Sequence, residues 1–592
     1  MRRKNTEKPK NFKESMKNFL FFLKPFSFQI ILSITLASFA SLFSIIGPDK
    51  IKEITNLVVA GLKTGMDLDS IKNIALFLFI IYLLSFVFTY VEHFIMATVT
   101  NLFTKKLRSE ISRKINKLPL KYFDTNSYGD ILSRITNDVD TMSQTINQSI
   151  GSFVSSLTLL IGSVTMMFYT NYILAITAIL ASLFGFFFMS LVLLKSQKYF
   201  VSFQEELGNL NGHIEETYTA HNVVKVYNAY EDETKTFDSI NNKMFKSAIK
   251  SHFYSGLMQP FMGFIGNFSY VLVCVIGSYL AINGNITFGV IIAFTIYARL
   301  FTQPLSQLAQ VATSLQSAGA ASERVFEFLN EEELPLLTKV KYLNKDKVRG
   351  EIEFKNVNFG YEKDKLIIKN FSQKIKPGSK VAIVGPTGAG KTTLVNLLMK
   401  FYEITSGDIL IDGISIKELS RENIHELFMM VLQDTWTFEG SIYENIIYNK
   451  ENIEKSDVEE VSKKIGLDHV IKSLNDGYNT ILSDSETLSS GEKQLLTIAR
   501  GMIKNAPFLI LDEATSSVDT RTEELVSKAM DKLSEGRTSF IIAHRLSTIK
   551  NATIILVLND GNIVEQGNHE ELIKKNGFYA KLYNSQFDSV SE

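Results

Sequence analysis

A chain of 592 residues is too long for one hydrophobic core, so two or more domains are expected. Its 62 Lys and Arg balance its 62 Asp and Glu, and a net charge of zero gives no reason to expect nucleic acid as a partner. The single cysteine, Cys274, rules out an internal disulfide, and no Cys/His cluster has the spacing of zinc ligands.

The first half carries long apolar runs. A basic, amphipathic lead (Arg2 to Lys24) precedes the first of them, which is too long for a signal-peptide core and is read as a retained helix. Six segments reach the roughly 20 residues that span a bilayer as helix: 26–46, 73–98, 144–169, 171–195, 256–282 and 287–312. Lys and Arg crowd the N-terminus and the segments 102–121 and 225–250, whereas the connections 169–172 and 282–287 carry no charge. The positive-inside rule then puts the basic segments in the cytoplasm and the loop 47–72 outside. Residues 99–143 and 196–255 are mostly polar with helical apolar spacing. They predict helices that continue below the bilayer and turn at Tyr122–Asp130 and Glu215–Val226, where they can dock on a soluble domain.

Three ionisable positions in these spans stand out. Glu92 and His93 lie near the cytoplasmic end of the second span and read as interfacial. Arg299 lies near mid-depth in the sixth, with Asn267 in the fifth; lining a cavity and forming a structural ion pair fit Arg299 equally well. Cys274 reads as a packing or lipid-facing residue.

A polar linker, 326–349, separates this membrane domain (1–325) from a soluble half, 350–592. There, strand-like runs such as Glu351–Val357, Lys380–Val384, Phe508–Leu511 and Thr538–Ile542 alternate with helical stretches, which predicts a mainly parallel sheet flanked by helices. Residues 385–393, Gly-Pro-Thr-Gly-Ala-Gly-Lys-Thr-Thr, fit the phosphate-binding loop between a strand and a helix. Gly385, Gly388 and Gly390 let backbone N–H groups turn towards a polyphosphate. Lys391 would reach the β- and γ-phosphates, and the hydroxyl of Thr392, followed by Thr393, would hold Mg²⁺. Downstream, the strand Phe508-Leu-Ile-Leu-Asp-Glu513 delivers two carboxylates at its end. Asp512 would orient Mg²⁺ and Glu513 would position and polarise the attacking water. His544 ends another apolar strand, near enough to meet the γ-phosphate. Leu488-Ser-Ser-Gly-Glu492 opens a helix with Ser489 as a cap, and doubles as a second anion site through the Gly491 N–H.

The phosphate loop, Leu488-Ser-Ser-Gly-Glu492, Leu511-Asp-Glu513, Ser517-Val-Asp519 and Ala543-His-Arg545 occur in the order of the ATP-binding cassette superfamily, which this sequence resembles over nearly its whole length. Gln433 matches the superfamily's Q-loop, and Tyr361 the aromatic that stacks on adenine. Six spans before one cassette look like a half-transporter of the type IV exporter kind. The resemblance implies a six-helix membrane domain followed by an α/β P-loop ATPase in a bacterial plasma membrane, with ATP and Mg²⁺ as cofactors. It also implies a second half-transporter, membrane lipid and an amphipathic small molecule as partners. Each nucleotide site would combine Tyr361, Lys391, Thr392, Gln433, Asp512, Glu513 and His544 of one chain with the Ser489 and Gly491 type residues of the other, and Asp519 would lie beside them.

One departure matters. Ser490 and Glu492 replace a Gly and a Gln of the usual signature, while Glu513 and His544 are intact. That combination, with Val431-Leu-Gln-Asp-Thr-Trp436, resembles the competent subunit of a heterodimeric exporter of drugs or lipids. The alternatives are a homodimeric lipid flippase, a dedicated peptide exporter and an ATP-gated channel or sensor subunit.

Overall fold

The computed structural model describes residues 12–335, 340–362, 365–432, 435–448, 450–482, 488–512, 520–542 and 549–587. The chain divides into two units: one runs up to Asn116 and takes in Tyr128–Glu331, the other takes in Lys117–Ser127 and everything from Glu332 onward.

The first unit is helical. Among the described residues six helices are long and apolar enough to cross a membrane: Lys13–Leu62 (with a short break in its first part), Leu68–Ile115, Tyr128–Thr170, Tyr172–Thr219, Gly263–Ile282 and Phe288–Leu329. Each expected span overlaps one of them, with 256–282 starting seven residues ahead of Gly263 and 171–195 and 287–312 one residue ahead of their helices, and most of the helices run well past the span. An amphipathic helix, Phe12–Leu23, packs Phe19 and Phe22 edge-on against Phe103.

The segment 47–72, expected as a loop, is instead largely helical. The first spanning helix continues to Thr64 and the next begins at Leu68. Polar residues three apart support the extension: Lys50 bonds Glu53 at 2.7 Å, and Lys52 pairs with Asp49. Gly65, at φ +98°, ends the first helix, and the Asp67 carboxylate caps the second by accepting from Ser70 N–H at 3.0 Å.

Small residues hold the helices together. A Cβ at Gly162 or Gly185 would collide with Ile45 or Ile265, so the backbones approach where no side chain intervenes. A buried cluster including Met167, Leu174, Val273, Phe294, Tyr297 and Phe301 fills the space between. Glu92 is buried against Gly151, and its neighbour His93 is the exposed member of the pair.

The second unit holds two main sheets. β1 (Ile352–Phe359), β2 (Ile368–Ile375), β4 (Ser406–Ile411) and β5 (Ile414–Ser415) form an antiparallel sheet in the order β2-β1-β4-β5. β3 (Lys380–Val384), β6 (Phe428–Val431), β9 (Phe508–Asp512), β10 (Thr538–Ile542), β11 (Ile554–Asn559) and β12 (Asn562–Gly567) form a second sheet, ordered β12-β11-β3-β10-β9-β6. It is parallel except for β12. The short β7 (Gly440–Ser441) and β8 (Ile481–Leu482) pair apart.

Three of the four strand runs expected in a parallel sheet are there. The first, β1, belongs to the antiparallel sheet, and its burial explains why. β1 alternates buried and open positions in part, as a strand with one covered face does, whereas β3, β9 and β10 are almost continuously buried.

Candidate nucleotide site

The parallel sheet brings the candidate residues to one edge. Ile383 of β3 stands beside Ile542 of β10, and Ile542 beside Asp512 of β9, so the three strands end level. The loop Gly385–Gly390 leaves β3 at that edge and feeds the helix Lys391–Leu398. At about 4.8 Å per strand, Asp512 lies roughly 10 Å across the edge from β3. This crevice outside the carboxyl ends of parallel strands is where open α/β sheets bind ligands.

Glycine is required in the loop. Gly388 and Gly390 adopt φ +83° and +98°, and a Cβ on Gly390 would sit 2.8 Å from Ile368 Cδ1. Lys391 Nζ donates to the Gly385 carbonyl at 2.7 Å and to the Pro386 carbonyl at 3.1 Å, folding the amine over its own loop. Burial pushes the pKa of this amine down, and the Asp512 carboxylate opposes that shift. Thr392 is exposed at the helix start, whereas Thr393 is buried and its Oγ1 lies 3.2 Å from the Tyr361 hydroxyl. Tyr361, Gly385, Gly388, Gly390, Lys391, Thr392, Thr393 and Asp512 are thus gathered at one edge. A ring of backbone donors, a lysine and a hydroxyl on a helix N-terminus, facing a carboxylate, fits a nucleotide polyphosphate with its cation.

Gln433, Glu513, Asp519 and His544 lie outside the described residues. Ser489 and Gly491 belong to another helix start, Ser490–Lys504, and among the described residues they make no hydrogen bond to the phosphate loop. Ser489 Oγ accepts from Glu492 N–H at 3.4 Å, and Glu492 Oε2 accepts from Ser489 N–H at 2.8 Å. Glu492 is therefore the reciprocal half of a capping box, its carboxylate held at the helix start.

Sequence reasoning missed three residues. The Tyr402 ring meets Tyr361 edge-on at 5.0 Å, and its hydroxyl donates to Asp124 of the helix Leu120–Thr125. That helix lies in Lys117–Ser127, the piece of the membrane half that belongs to the soluble unit, at the turn expected to dock there. Arg500 donates to the Trp436 carbonyl at 2.7 Å and to Asn445 Oδ1 at 2.8 Å, tying the helix that Ser489 caps to the chain just after Gln433. The signal for Tyr402 was an aromatic placed directly after the phosphate-loop helix; Arg500 gave none without its partners.

A phosphate loop and a strand-end carboxylate in one unit, six membrane-crossing helices in the other: together they define a membrane-embedded P-loop ATPase. Comparison with known proteins narrows this. Residues 30–305 match the ABC transporter transmembrane region family and residues 368–516 match the ABC transporter family. The chain is 44% identical over 478 residues to a fatty acid ABC transporter ATP-binding/permease protein of Mycobacterium bovis, covering 81% of this chain and 75% of that one. It is 34% identical to an ATP-dependent lipid A-core flippase of Syntrophus aciditrophicus, covering 88% and 87%. A solved bacterial Atm1-family ABC exporter with ATP bound superposes with a TM-score of 0.73 at 26% identity, covering 95% of this chain and 98% of that one. The chain belongs to the ABC transporters, as a type IV exporter half-transporter. It is an ATPase and a multi-pass protein of the bacterial membrane, with the ATPase unit cytoplasmic.

Proposed function

We propose that this chain is the hydrolytically competent half of a heterodimeric exporter that moves amphipathic molecules, lipids foremost, out of the cytoplasmic leaflet. The observation that carries the reading is the split site: the phosphate loop and Asp512 gather at one sheet edge, while Ser489 and Gly491 open a separate helix. A second chain is needed to bring such a helix start over the phosphates. Glu492, held at that start, places a negative charge beside the N–H groups that would meet the partner's nucleotide, which favours an unequal pair. The fatty acid and lipid A-core activities named for two relatives support lipid cargo.

In this reading Tyr361 stacks on adenine, and Lys391 neutralises the β- and γ-phosphates. Thr392, Gln433 and Asp512 would hold Mg²⁺, which would supply charge neutralisation when bound. Glu513 orients and polarises the attacking water, and His544 contacts the γ-phosphate. Asp519 would join these residues at the bound nucleotide. Closure of the pair would be read by Asp124 through Tyr402.

ATP turnover of the chain reconstituted alone in lipid nanodiscs, with its mass measured alongside, tests both parts. An inactive chain that gains activity with a second half-transporter, and loses about 100-fold of it on Glu513→Gln, is the expected result. A stable homodimer with full activity would overturn the unequal pair, and unchanged turnover in Glu513→Gln would overturn the role of that carboxylate.

A further inference from the structure

Among the described residues, the membrane unit holds a cation deep in a span with no counter-charge beside it. Arg299 is exposed on the helix Phe288–Leu329, 11 residues in from its outer end, and no carboxylate among the described residues pairs with it. At 1.5 Å per residue it lies about 17 Å along that helix, near the middle of a hydrocarbon core about 30 Å thick. A guanidinium stays charged under any accessible condition. At mid-depth its side chain cannot reach either interface, so facing lipid tails would cost several kcal/mol. Of the two readings open from sequence, no ion pair forms among the described residues, which favours the cavity wall.

The neighbouring helix, Met258–Ile282, supplies polar company at the same depth. Tyr270 lies 12 residues from the outer end of that helix, about 18 Å, level with Arg299 on a helix packed against its own. Asn267, Tyr270 and Cys274 recur at helical spacing on one face, and Asn267 and Tyr270 are exposed. One step round the helix, Phe264, Phe268 and Val271 form an exposed apolar stripe at the same spacing. A cation, a phenol and an amide thus stand beside a hydrophobic track, halfway through the bilayer.

We infer that Arg299, with Tyr270 and Asn267, forms a cargo subsite for the head group of a singly charged anionic amphipath, with the acyl chain lying along Phe264, Phe268 and Val271. One unpaired guanidinium is neutralised by one carboxylate or phosphodiester, in bidentate geometry that lysine does not reproduce. A neutral or cationic amphipath would leave the charge at mid-depth unmatched or doubled. The assignment rests on the exporter reading only in calling the occupant cargo.

The test uses the assembled transporter in phosphatidylcholine nanodiscs at alkaline pH. Spin-labelled stearate is compared with its methyl ester, which differs only in charge, and with phosphatidylglycerol carrying the same label. The expected result is a protein-immobilised fraction severalfold larger for the acid than for the ester. Arg299→Gln should abolish that excess and Arg299→Lys should keep part of it, with ester binding equal in all three proteins as a control for folding. An excess shared by phosphatidylglycerol identifies a membrane lipid as the source of the head group, and one confined to stearate identifies a free fatty acid. An acid excess equal in wild type and Arg299→Gln overturns the subsite. ATP-driven transfer of the same stearate is measured separately: its absence, with the Arg299-dependent excess intact, overturns the exporter reading and leaves the subsite standing.

Discussion

The two units of this chain are held together by different physics. The ATPase unit puts its large side chains inside: Phe354, Phe428, Phe508 and Phe540 are fully buried, and removal of apolar surface from water drives its folding. The membrane unit turns many outward, with Phe79, Phe86 and Leu180 exposed along the spans. Lipid is as apolar as those side chains, so it gives no reward for burying them, and helix association falls to close van der Waals packing at small residues. A change in charge at the sheet edge should therefore stop the chemistry and leave the membrane unit intact. A change in bulk at a helix contact should loosen the membrane unit and leave the phosphate loop formed.

Two substitutions set the ends of that contrast. Lys391→Ala removes the amine that folds over Gly385 and Pro386, and ATP turnover of the assembled transporter should fall roughly 100-fold. Turnover within threefold of wild type would show that the loop works without its lysine. In the membrane unit, Gly185→Leu forces a side chain into Ile265 of the neighbouring helix. Overpacking of that kind costs about 1–3 kcal/mol. Proteolysis in nanodiscs should then open the membrane helices first, while fluorescent-nucleotide binding stays close to wild type.

The same contrast explains what the sequence made readable. The phosphate loop was legible because each position has its own job: glycines at Gly388 and Gly390 for positive φ, and Lys391 for charge. Strand direction was legible for β3, β9 and β10 from their unbroken apolar runs. It was not for β1, whose alternation is the mark of a sheet with one covered face. The spans were legible from hydropathy, but the polar extension to Thr64 was not, because its support comes from Lys50–Glu53 and from Asn56 accepting the Gly289 N–H at 3.1 Å, 233 residues away in sequence. Tyr402 and Asp124 are 278 residues apart, and no local pattern announces such a pair.

That pair allows a finer test of the soluble unit. Tyr402→Phe keeps the edge-on ring at Tyr361 and removes only the hydroxyl that donates to Asp124. A hydrogen bond to a carboxylate contributes about 1.5–3 kcal/mol net, and even the lower value is a factor of about 12 in a local opening equilibrium. Amide exchange in the helix Leu120–Thr125 should quicken by at least that factor, with exchange in the phosphate loop unchanged. Equal rates in both proteins would mean that the ring contacts alone hold the helix.

The smallest expected effect is a pH dependence confined to the soluble unit. His425, in the helix Arg421–Leu427, is packed against Phe401, and its Nε2 donates to the Met399 carbonyl at 3.0 Å. Burial is the main cause that lowers its pKa; the bond to Met399 works against it, and Lys504 adds to the lowering. The folded pKa thus lies below the unfolded value, so as pH falls the unfolded chain takes up its proton before the folded chain does. Stability from this group is present above the unfolded pKa and is lost as pH falls through the folded one. Protection factors in the helix Arg421–Leu427, corrected for intrinsic exchange, should fall between pH 7.5 and 5.5. His425→Gln retains a donor for Met399 but does not titrate, and should flatten that fall. If both proteins lose protection in parallel, the pH dependence comes from another group, and the neutral imidazole is a packing element only.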